Sequence, residues 1–202
     1  MAQQQSITIG DGDALSVTDV QIDFLPGGAL GVPNGDKVIT PLNRVITLFH
    51  KRRRPIVFTR DWHPANHCSF QAQGGTWPVH CVQNTPGAAF SPDLKLPPGA
   101  IVVSKAVHPD SEEYSTLHAR DAAGHTEDGL MWHYGVRRVF IGGLATEYCV
   151  LSTVRDAIKE GFSVFVLTDA IQAVNVKPGD DEQALAEMCS IGARMILSTD
   201  LA

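Results

Sequence analysis

The stretch RVFIGGLATEYCV, residues 138–150, contains the pattern that decides the fold. Its first part, RVFIG, is a short apolar run rich in β-branched and aromatic residues, which is typical of a buried strand. Gly142 and Gly143 then allow a sharp backbone turn, and Thr146 is a good N-cap for a following helix. The apolar stripe of that helix, over 146–160, consists of Val150, Val154, Ala157 and Ile158. The stretch therefore predicts a strand that leads directly into a helix.

The same alternation of strand and helix recurs along the chain. Further apolar runs predict strands at 14–18, 55–59, 100–104, 163–167 and 194–198. Helical spacing of apolar residues predicts two more helices, over 38–53 and 180–192. Uniformly apolar strands alternating with helices indicate a parallel sheet covered on both faces. We expect an α/β fold, a three-layer sandwich with a central, mostly parallel sheet of about six strands, forming a single domain over residues 1–202.

The composition is that of an ordinary globular protein. The 202 residues carry a net charge of −6, which argues against nucleic acid or an anionic membrane as a partner. No apolar run reaches the roughly 18–20 residues of a membrane helix. The N-terminal stretch MAQQQSITIGDGD lacks the basic and apolar regions of a secretory signal. The four cysteines are widely spaced and do not suggest a disulfide framework. We expect a cytoplasmic protein, and a homo-oligomer is compatible with the sequence.

Three polar residues follow predicted strands at one edge of the sheet. Asp19, Lys105 and Cys149 come after the first, third and fourth strands, and ligands of open α/β sheets bind beyond these strand ends. Taken singly, Asp19 is also a common turn cap and Cys149 a common small core residue. Together they suggest a nucleophile, a base and an orienting cation. The N–H groups at the start of the helix would favour the thiolate of Cys149.

The long irregular region 60–99 carries a second group of polar residues. Asp61 and His63 are two apart in RDWHPANHCSF (60–70), so in extended chain their side chains point to the same side. His67 follows, and GTWPVHC (75–81) adds His80. A carboxylate with imidazoles suits one divalent ion, Zn²⁺ first, with Fe²⁺ or Mn²⁺ as alternatives. His67 fits a ligand role and a solvated surface role equally well.

Several motifs, in this order, resemble those of the isochorismatase-like cysteine hydrolase superfamily and, within it, of the nicotinamidases. They are DVQIDFLPGGAL (19–30), RDWHPANHCSF (60–70), TWPVHC (76–81), SKAVHPDSEEYS (104–115) and GGLATEYCV (142–150). The resemblance runs nearly end to end. It implies an amidase that converts nicotinamide to nicotinate and ammonia through a Cys thioester, with pyrazinamide as an analogue substrate. The metal ion would position the pyridine nitrogen.

The resemblance also implies individual catalytic roles. Cys149 would be the nucleophile, Asp19 the general base, and Lys105 the cation that orients and balances them. The backbone N–H groups of Ala145 and Cys149 would form the oxyanion hole, and a cis peptide bond is expected before Ala145.

Ligand and substrate contacts follow from the same resemblance. The implied metal ligands are Asp61, His63 and His80, and His67 matches an additional histidine ligand of some members. Phe24 and Trp77 match the aromatic pair that flanks the pyridine ring, and Tyr114 lies near the substrate pocket.

The residues leave three other functions open. A different amide or N-carbamoyl hydrolase of the same superfamily would share the trio and differ in substrate. A hydrolase could instead use water activated by a metal at Asp61, His63 and His80, since such a metal lowers the pKa of bound water to about 7. A catalytically silent binding protein is the third alternative, because a fold does not dictate a function. No phosphate-binding glycine loop is present.

Overall fold

A computed structural model describes residues 6–202 and contains one parallel sheet in that part of the chain. Its strands are β1 (Asp13–Thr18), β2 (Ile56–Asp61), β3 (Ile101–Lys105), β4 (Arg138–Leu144), β5 (Ser163–Gln172) and β6 (Arg194–Ile196). Their order across the sheet is β3-β2-β1-β4-β5-β6, and every pair is parallel. The first five residues of the stretch searched for a secretory signal lie outside the described residues.

Helices cover both faces of this sheet. They are α1 (Ile39–Lys51), α2 (Glu127–His133), α3 (Leu151–Lys159) and α4 (Asp180–Ser190). Buried residues of α1 share one apolar cluster with Leu15 and Val17 of β1, whereas α2, α3 and α4 share a second cluster with Ala14. The predicted α/β sandwich with a parallel six-stranded sheet is confirmed. Within residues 6–202 no helix combines the length and apolarity needed to cross a membrane.

The chain at the start of α3 differs from the prediction. Thr146 does not cap a helix: it is the first residue of a π-helical turn, Thr146–Val150, which precedes α3, and its side chain makes no capping hydrogen bond. The Ala145 carbonyl accepts from the N–H groups of Tyr148 at 3.1 Å and Val150 at 3.2 Å. The second of these bonds spans five residues and widens the turn. Such π turns are frequent at functional sites.

The order of the strands changes direction between β1 and β4. Gly143 makes this junction possible, because a Cβ atom there would lie 2.0 Å from the carbonyl oxygen of Thr18, and its φ of 127° also suits glycine. In sheets of this kind, ligands bind in the crevice outside the carboxyl ends of the strands at such a switch point. Asp19 and Cys149 both follow strands that end there.

Candidate active site

The structure brings three of the predicted residues into contact at the switch point. Lys105 Nζ lies 3.0 Å from Asp19 Oδ2 and 3.5 Å from Cys149 Sγ. All three residues are buried, Asp19 and Lys105 almost completely. The other carboxylate oxygen of Asp19, Oδ1, accepts a hydrogen bond of 2.6 Å from the Thr59 hydroxyl. A thiol, a carboxylate and an ammonium group are therefore held together as one cluster.

The surroundings of Cys149 act on the pKa of its thiol in opposite directions. Burial raises the pKa of the Cys149 thiol well above its usual value, and the Lys105 cation only partly opposes this effect. The resting sulfur is therefore a protonated thiol, in spite of its place just before α3. Burial also raises the pKa of Asp19, although Lys105 and Thr59 act against it. A raised pKa makes the Asp19 carboxylate a better proton acceptor.

Lys105 keeps its charge in this environment. Burial alone would lower the pKa of its ammonium group, but the Asp19 and Asp61 carboxylates outweigh burial and raise the pKa well above its ordinary value. Lys105 also donates a hydrogen bond to Asp61 Oδ1. Burial would raise the pKa of Asp61 in its turn, but Lys105 and His63 outweigh it and lower that pKa. Asp61 therefore remains ionised.

Asp61 connects the thiol cluster to the predicted metal ligands. Its second oxygen, Oδ2, lies 3.6 Å from His63 Nε2. Asp61, His63 and His80 each offer one ligand atom, and these atoms all lie within 4.8 Å of one another. A second group of possible ligands, formed by Asp61 with Asp19 and Cys149, surrounds Lys105, whose ammonium group already supplies a cation there.

The first of these groups fits a divalent metal ion. His63 Nδ1 pairs with the Ala106 carbonyl at 3.2 Å and His80 Nδ1 with the Pro78 carbonyl at 2.8 Å, which leaves Nε2 of each ring free to bind metal. His63 Nε2 is buried and has no hydrogen-bond partner within residues 6–202, an arrangement that is costly unless another group satisfies the nitrogen. Burial lowers the pKa of His80, so its ring is neutral as a ligand must be.

His67 does not join this group. Its Nδ1 accepts from the Ser69 hydroxyl at 2.7 Å, and its Nε2 donates to the Ser111 carbonyl at 3.0 Å. The ring stacks near His63, with 4.2 Å between the centroids. Both nitrogens of His67 are thus used within the protein, and the residue anchors the segment around Ser111 beside the site.

A cavity lies directly beside the thiol and the metal-ligand group. Its lining consists of Phe24, Leu30, Asp61, Trp77, His80, Glu112, Tyr114, Ala145, Tyr148, Cys149 and Val174. The predicted substrate contacts Phe24, Trp77 and Tyr114 are all among them. Trp77 Nε1 donates to the Tyr114 hydroxyl at 3.0 Å, which fixes the two rings relative to each other. The peptide bond between Leu144 and Ala145 is cis, as the family resemblance implied.

Sequence reasoning missed several residues of the site. Gln21 pairs with the backbone of Asp61: its Nε2 donates to the Asp61 carbonyl at 2.8 Å, and its Oε1 accepts from the Asp61 N–H at 2.8 Å. Tyr148 packs against Trp77 with 5.1 Å between ring centroids. In the sequence, only proximity to Asp19 pointed to Gln21, and only proximity to Cys149 pointed to Tyr148. Leu30, Glu112 and Val174 gave no signal.

The fold and these residues define the class of the protein, an α/β protein with a buried cysteine-centred site at the switch point of a parallel sheet. The family model for the isochorismatase domain matches residues 13–200. The chain belongs to this family, as its motifs predicted.

Individual relatives are similar over nearly their whole length. The chain is 36% identical over 203 residues to the nicotinamidase of Escherichia coli (strain K12), and the match covers 93% of this chain and 95% of that protein. The pyrazinamidase of Pyrococcus horikoshii, solved in complex with zinc, is 49% identical with a TM-score of 0.85, covering 92% of this chain and 99% of that chain. PnC1 from L. infantum, solved in complex with nicotinate, is 36% identical with a TM-score of 0.87, covering 98% of each chain.

Proposed function

We propose that this protein is a nicotinamidase, an amidase that hydrolyses nicotinamide to nicotinate and ammonia. The observation that carries the proposal is the position of Lys105 Nζ, 3.0 Å from Asp19 Oδ2 and 3.5 Å from Cys149 Sγ, beside an aromatic cavity that also contains two of the candidate metal ligands. This arrangement offers a nucleophile and a site for a ring nitrogen in one cavity. The similarity to nicotinamidases and pyrazinamidases supports the same substrate class.

The first half of the reaction transfers the acyl group to sulfur. Asp19 takes the proton of the Cys149 thiol, and the sulfur attacks the carboxamide carbon. The C=O electron pair moves to oxygen, and the N–H groups of Ala145 and Cys149 hold the resulting oxyanion. When the C–N bond breaks, the leaving nitrogen takes the proton back from Asp19. Ammonia departs, and the acyl group remains on sulfur as a thioester.

The second half releases nicotinate. Asp19, again a carboxylate, accepts a proton from a water molecule as its oxygen attacks the thioester carbon. The second tetrahedral intermediate collapses with cleavage of the C–S bond, and the sulfur takes up the proton from Asp19. Lys105 lies within 3.5 Å of both the sulfur and Asp19, so it stabilises whichever of the two is negatively charged.

The metal ion would be held by Asp61, His63 and His80, with Zn²⁺ first and Fe²⁺ or Mn²⁺ as alternatives. When bound, it offers a coordination position to the ring nitrogen of the substrate. Phe24 and Trp77 would flank the ring, and Tyr114 would keep Trp77 in place through its hydroxyl. This set favours nicotinamide and pyrazinamide over benzamide, which lacks the ring nitrogen.

The free thiols and the proposed reaction suggest a cellular location and a metabolic role for the enzyme. All four cysteines carry free thiols, which suits a reducing cytoplasm. Nicotinate is a precursor of pyridine nucleotides, and we assign the enzyme to NAD salvage. Residues 1–202 would form a single catalytic domain.

The test measures ammonia release from nicotinamide and benzamide by metal-loaded protein. We expect turnover of nicotinamide and little of benzamide. Cys149→Ala should abolish turnover while metal content, measured by elemental analysis, stays at the wild-type level. Cys189→Ala is the matched control, because Cys189 is an exposed free thiol on α4 and should keep full activity.

Two outcomes would contradict the proposal. Near-normal activity of Cys149→Ala would exclude the thiol as nucleophile and favour metal-activated water. A wild-type protein that binds metal and folds, but releases no ammonia from nicotinamide, would exclude the substrate.

A further inference from the structure

The segment that follows β5 forms one wall of the cavity beside the thiol. β5 pairs with β4 as far as Gln172, which lies opposite Leu144. Val174, two residues further on, lines the cavity and packs against the apolar cluster that contains Phe24. Asn175 is exposed and has a left-handed φ of 53°, a conformation that asparagine tolerates better than most residues. The pairing with β4 therefore ends just before the residue that shapes the cavity.

The carboxylate of Glu147 holds this segment beyond the end of the strand. Its Oε1 accepts a hydrogen bond of 2.7 Å from the Asn175 N–H, and its Oε2 accepts one of 3.2 Å from the Val174 N–H. A carboxylate suits this task because both of its oxygens accept, and hydrogen bonds to an ionised acceptor are the stronger ones. Burial raises the pKa of Glu147, and N–H groups that include those of Asn175 and Val174 oppose it, as bonds to the charged form should.

Glu147 also belongs to the turn that carries the nucleophile. It lies in the π-helical turn Thr146–Val150, two residues before Cys149. Its chain neighbours Ala145 and Tyr148 line the same cavity as Val174. The two hydrogen bonds join residues that are 27 and 28 positions apart in the chain. They therefore tie the wall formed by Val174 to the turn from which the sulfur reaches the substrate.

We propose that Glu147 is a positioning residue that sets substrate specificity, because it fixes Val174 as a wall of the cavity and so limits the substituents that the substrate ring can carry. This inference deepens the proposed function and rests on it. In that function the ring is anchored by its carboxamide at Cys149 and by its nitrogen at the metal. Ring position 2 lies between these anchors, so positions 4, 5 and 6 face the rest of the cavity. A methyl group that meets an apolar wall changes kcat/KM by about 10–200-fold.

The test uses variants that loosen the wall or remove it. Glu147→Gln keeps the shape of the side chain but has one acceptor oxygen, so one of the two N–H groups loses its partner. Val174→Ala opens the wall directly, and the double variant shows whether Glu147 acts through Val174. The matched control is Asp169→Asn, also on β5 but away from the cavity. Asp169 Oδ1 accepts from the Ser198 N–H at 2.8 Å and its Oδ2 from the Ser198 hydroxyl at 2.6 Å.

Three quantities are measured on the metal-loaded proteins. The first is kcat/KM for nicotinamide and for its 4-, 5- and 6-methyl derivatives. The second is hydrogen exchange of the peptide that contains Val174 and Asn175, which reports local opening. The third does not depend on the substrate: it is the rate at which Cys149 is alkylated by N-phenyliodoacetamide relative to the smaller iodoacetamide, followed on its peptide by mass spectrometry.

The expected changes share one direction. Val174→Ala should raise kcat/KM of at least one methyl derivative, relative to nicotinamide, by about tenfold. Glu147→Gln should raise it for the same derivative by roughly fivefold, with faster exchange and faster relative alkylation by the bulky reagent. The double variant should differ little from Val174→Ala, because effects that act through one contact do not add. Asp169→Asn should match the wild type throughout.

The outcomes separate this inference from the proposed function. If Glu147→Gln exchanges faster but keeps the wild-type preference among the four substrates, its bonds only stabilise the segment and the inference is wrong. A preference that changes for a different derivative than in Val174→Ala would also overturn it. If the wild type hydrolyses none of the four amides, the proposed function fails. The alkylation ratio then decides the role of Glu147: a rise in Glu147→Gln supports it, and an unchanged ratio excludes it.

Discussion

The carboxyl group of Glu127 should make the stability of the protein depend on pH. Glu127 is completely buried, and its pKa rises from an ordinary value of 4.5 to about 7 because burial disfavours the charged form. Below pH 4.5 the group is protonated in both the folded and the unfolded chain. Between pH 4.5 and 7 the folded protein keeps a proton that the unfolded chain releases, so the free energy of unfolding falls as pH rises. Above pH 7 both states are ionised and the effect levels off.

The size of this effect follows from the difference between the two pKa values. Each tenfold difference in proton affinity corresponds to about 1.4 kcal/mol. A change from 4.5 to about 7 therefore lowers the free energy of unfolding by about 3 kcal/mol between acid and alkaline pH. Such a loss is a large fraction of the roughly 5–15 kcal/mol that stabilises a typical domain. Glu127→Gln has no titrating group at this position and should not show it.

The assay is denaturant unfolding of wild type and Glu127→Gln at half-unit steps from pH 5 to pH 8.5. Other titrating groups affect both proteins, so the relevant quantity is the difference between their unfolding free energies. We expect this difference to shift by about 2–3 kcal/mol in favour of the Gln variant between pH 5 and pH 8.5, with most of the change below pH 7. A difference that stays constant with pH would refute the reasoning, because Glu127 would then ionise as it does in water.

Two further predictions concern the metal ligands and the switch point. His63→Ala and His80→Ala should lose bound metal, as measured by elemental analysis. His67→Ala should retain it, because both His67 nitrogens are hydrogen-bonded within the protein. Equal loss of metal in all three variants would contradict this assignment. Gly143→Ala should destabilise the fold by about 3 kcal/mol or more in thermal or denaturant unfolding, because its Cβ would meet the Thr18 carbonyl. Gly10→Ala is the control, since a Cβ there meets nothing within 4 Å, and equal stability of the two variants would exclude the clash.

The sheet could be predicted from sequence because its strands are apolar, and those inside the sheet are mostly buried on both faces. Their apolar runs marked all six strands to within a few residues, apart from the end of β5. That strand continues past Leu167 to Gln172, although Thr168 and Asp169 are polar. The backbone still pairs with β4 there, after an irregularity between Ile141 and Gly143. Backbone pairing of this kind leaves no trace in the hydrophobic pattern.

The site was predictable where position along a strand determines position in space. Asp19, Lys105 and Cys149 follow or end strands that converge at one sheet edge, so their order in the chain sufficed. Gln21 of the site, and the buried Glu127 outside it, could not be found in this way. Gln21 donates a hydrogen bond to Asp61, which is 40 residues away in the chain. Glu127 accepts one from Ser16, which is 111 residues away. Such contacts depend on tertiary packing, which a local pattern does not encode.

In the proposed mechanism, the charges of the cluster would allow a cysteine with a raised pKa to act as the nucleophile. Transfer of the proton from Cys149 to Asp19 turns a thiol and a carboxylate into a thiolate and a carboxylic acid, so the number of buried charges does not change. Burial opposes the charged form of both groups and therefore largely cancels in the transfer. Lys105 is 3.0 Å from one anion and 3.5 Å from the other, so its attraction changes little. In the proposed mechanism, the deciding step would then be bond formation to the carbonyl carbon, which would consume the thiolate as it forms. Rate should therefore depend on where Sγ lies more than on the fraction of free thiolate.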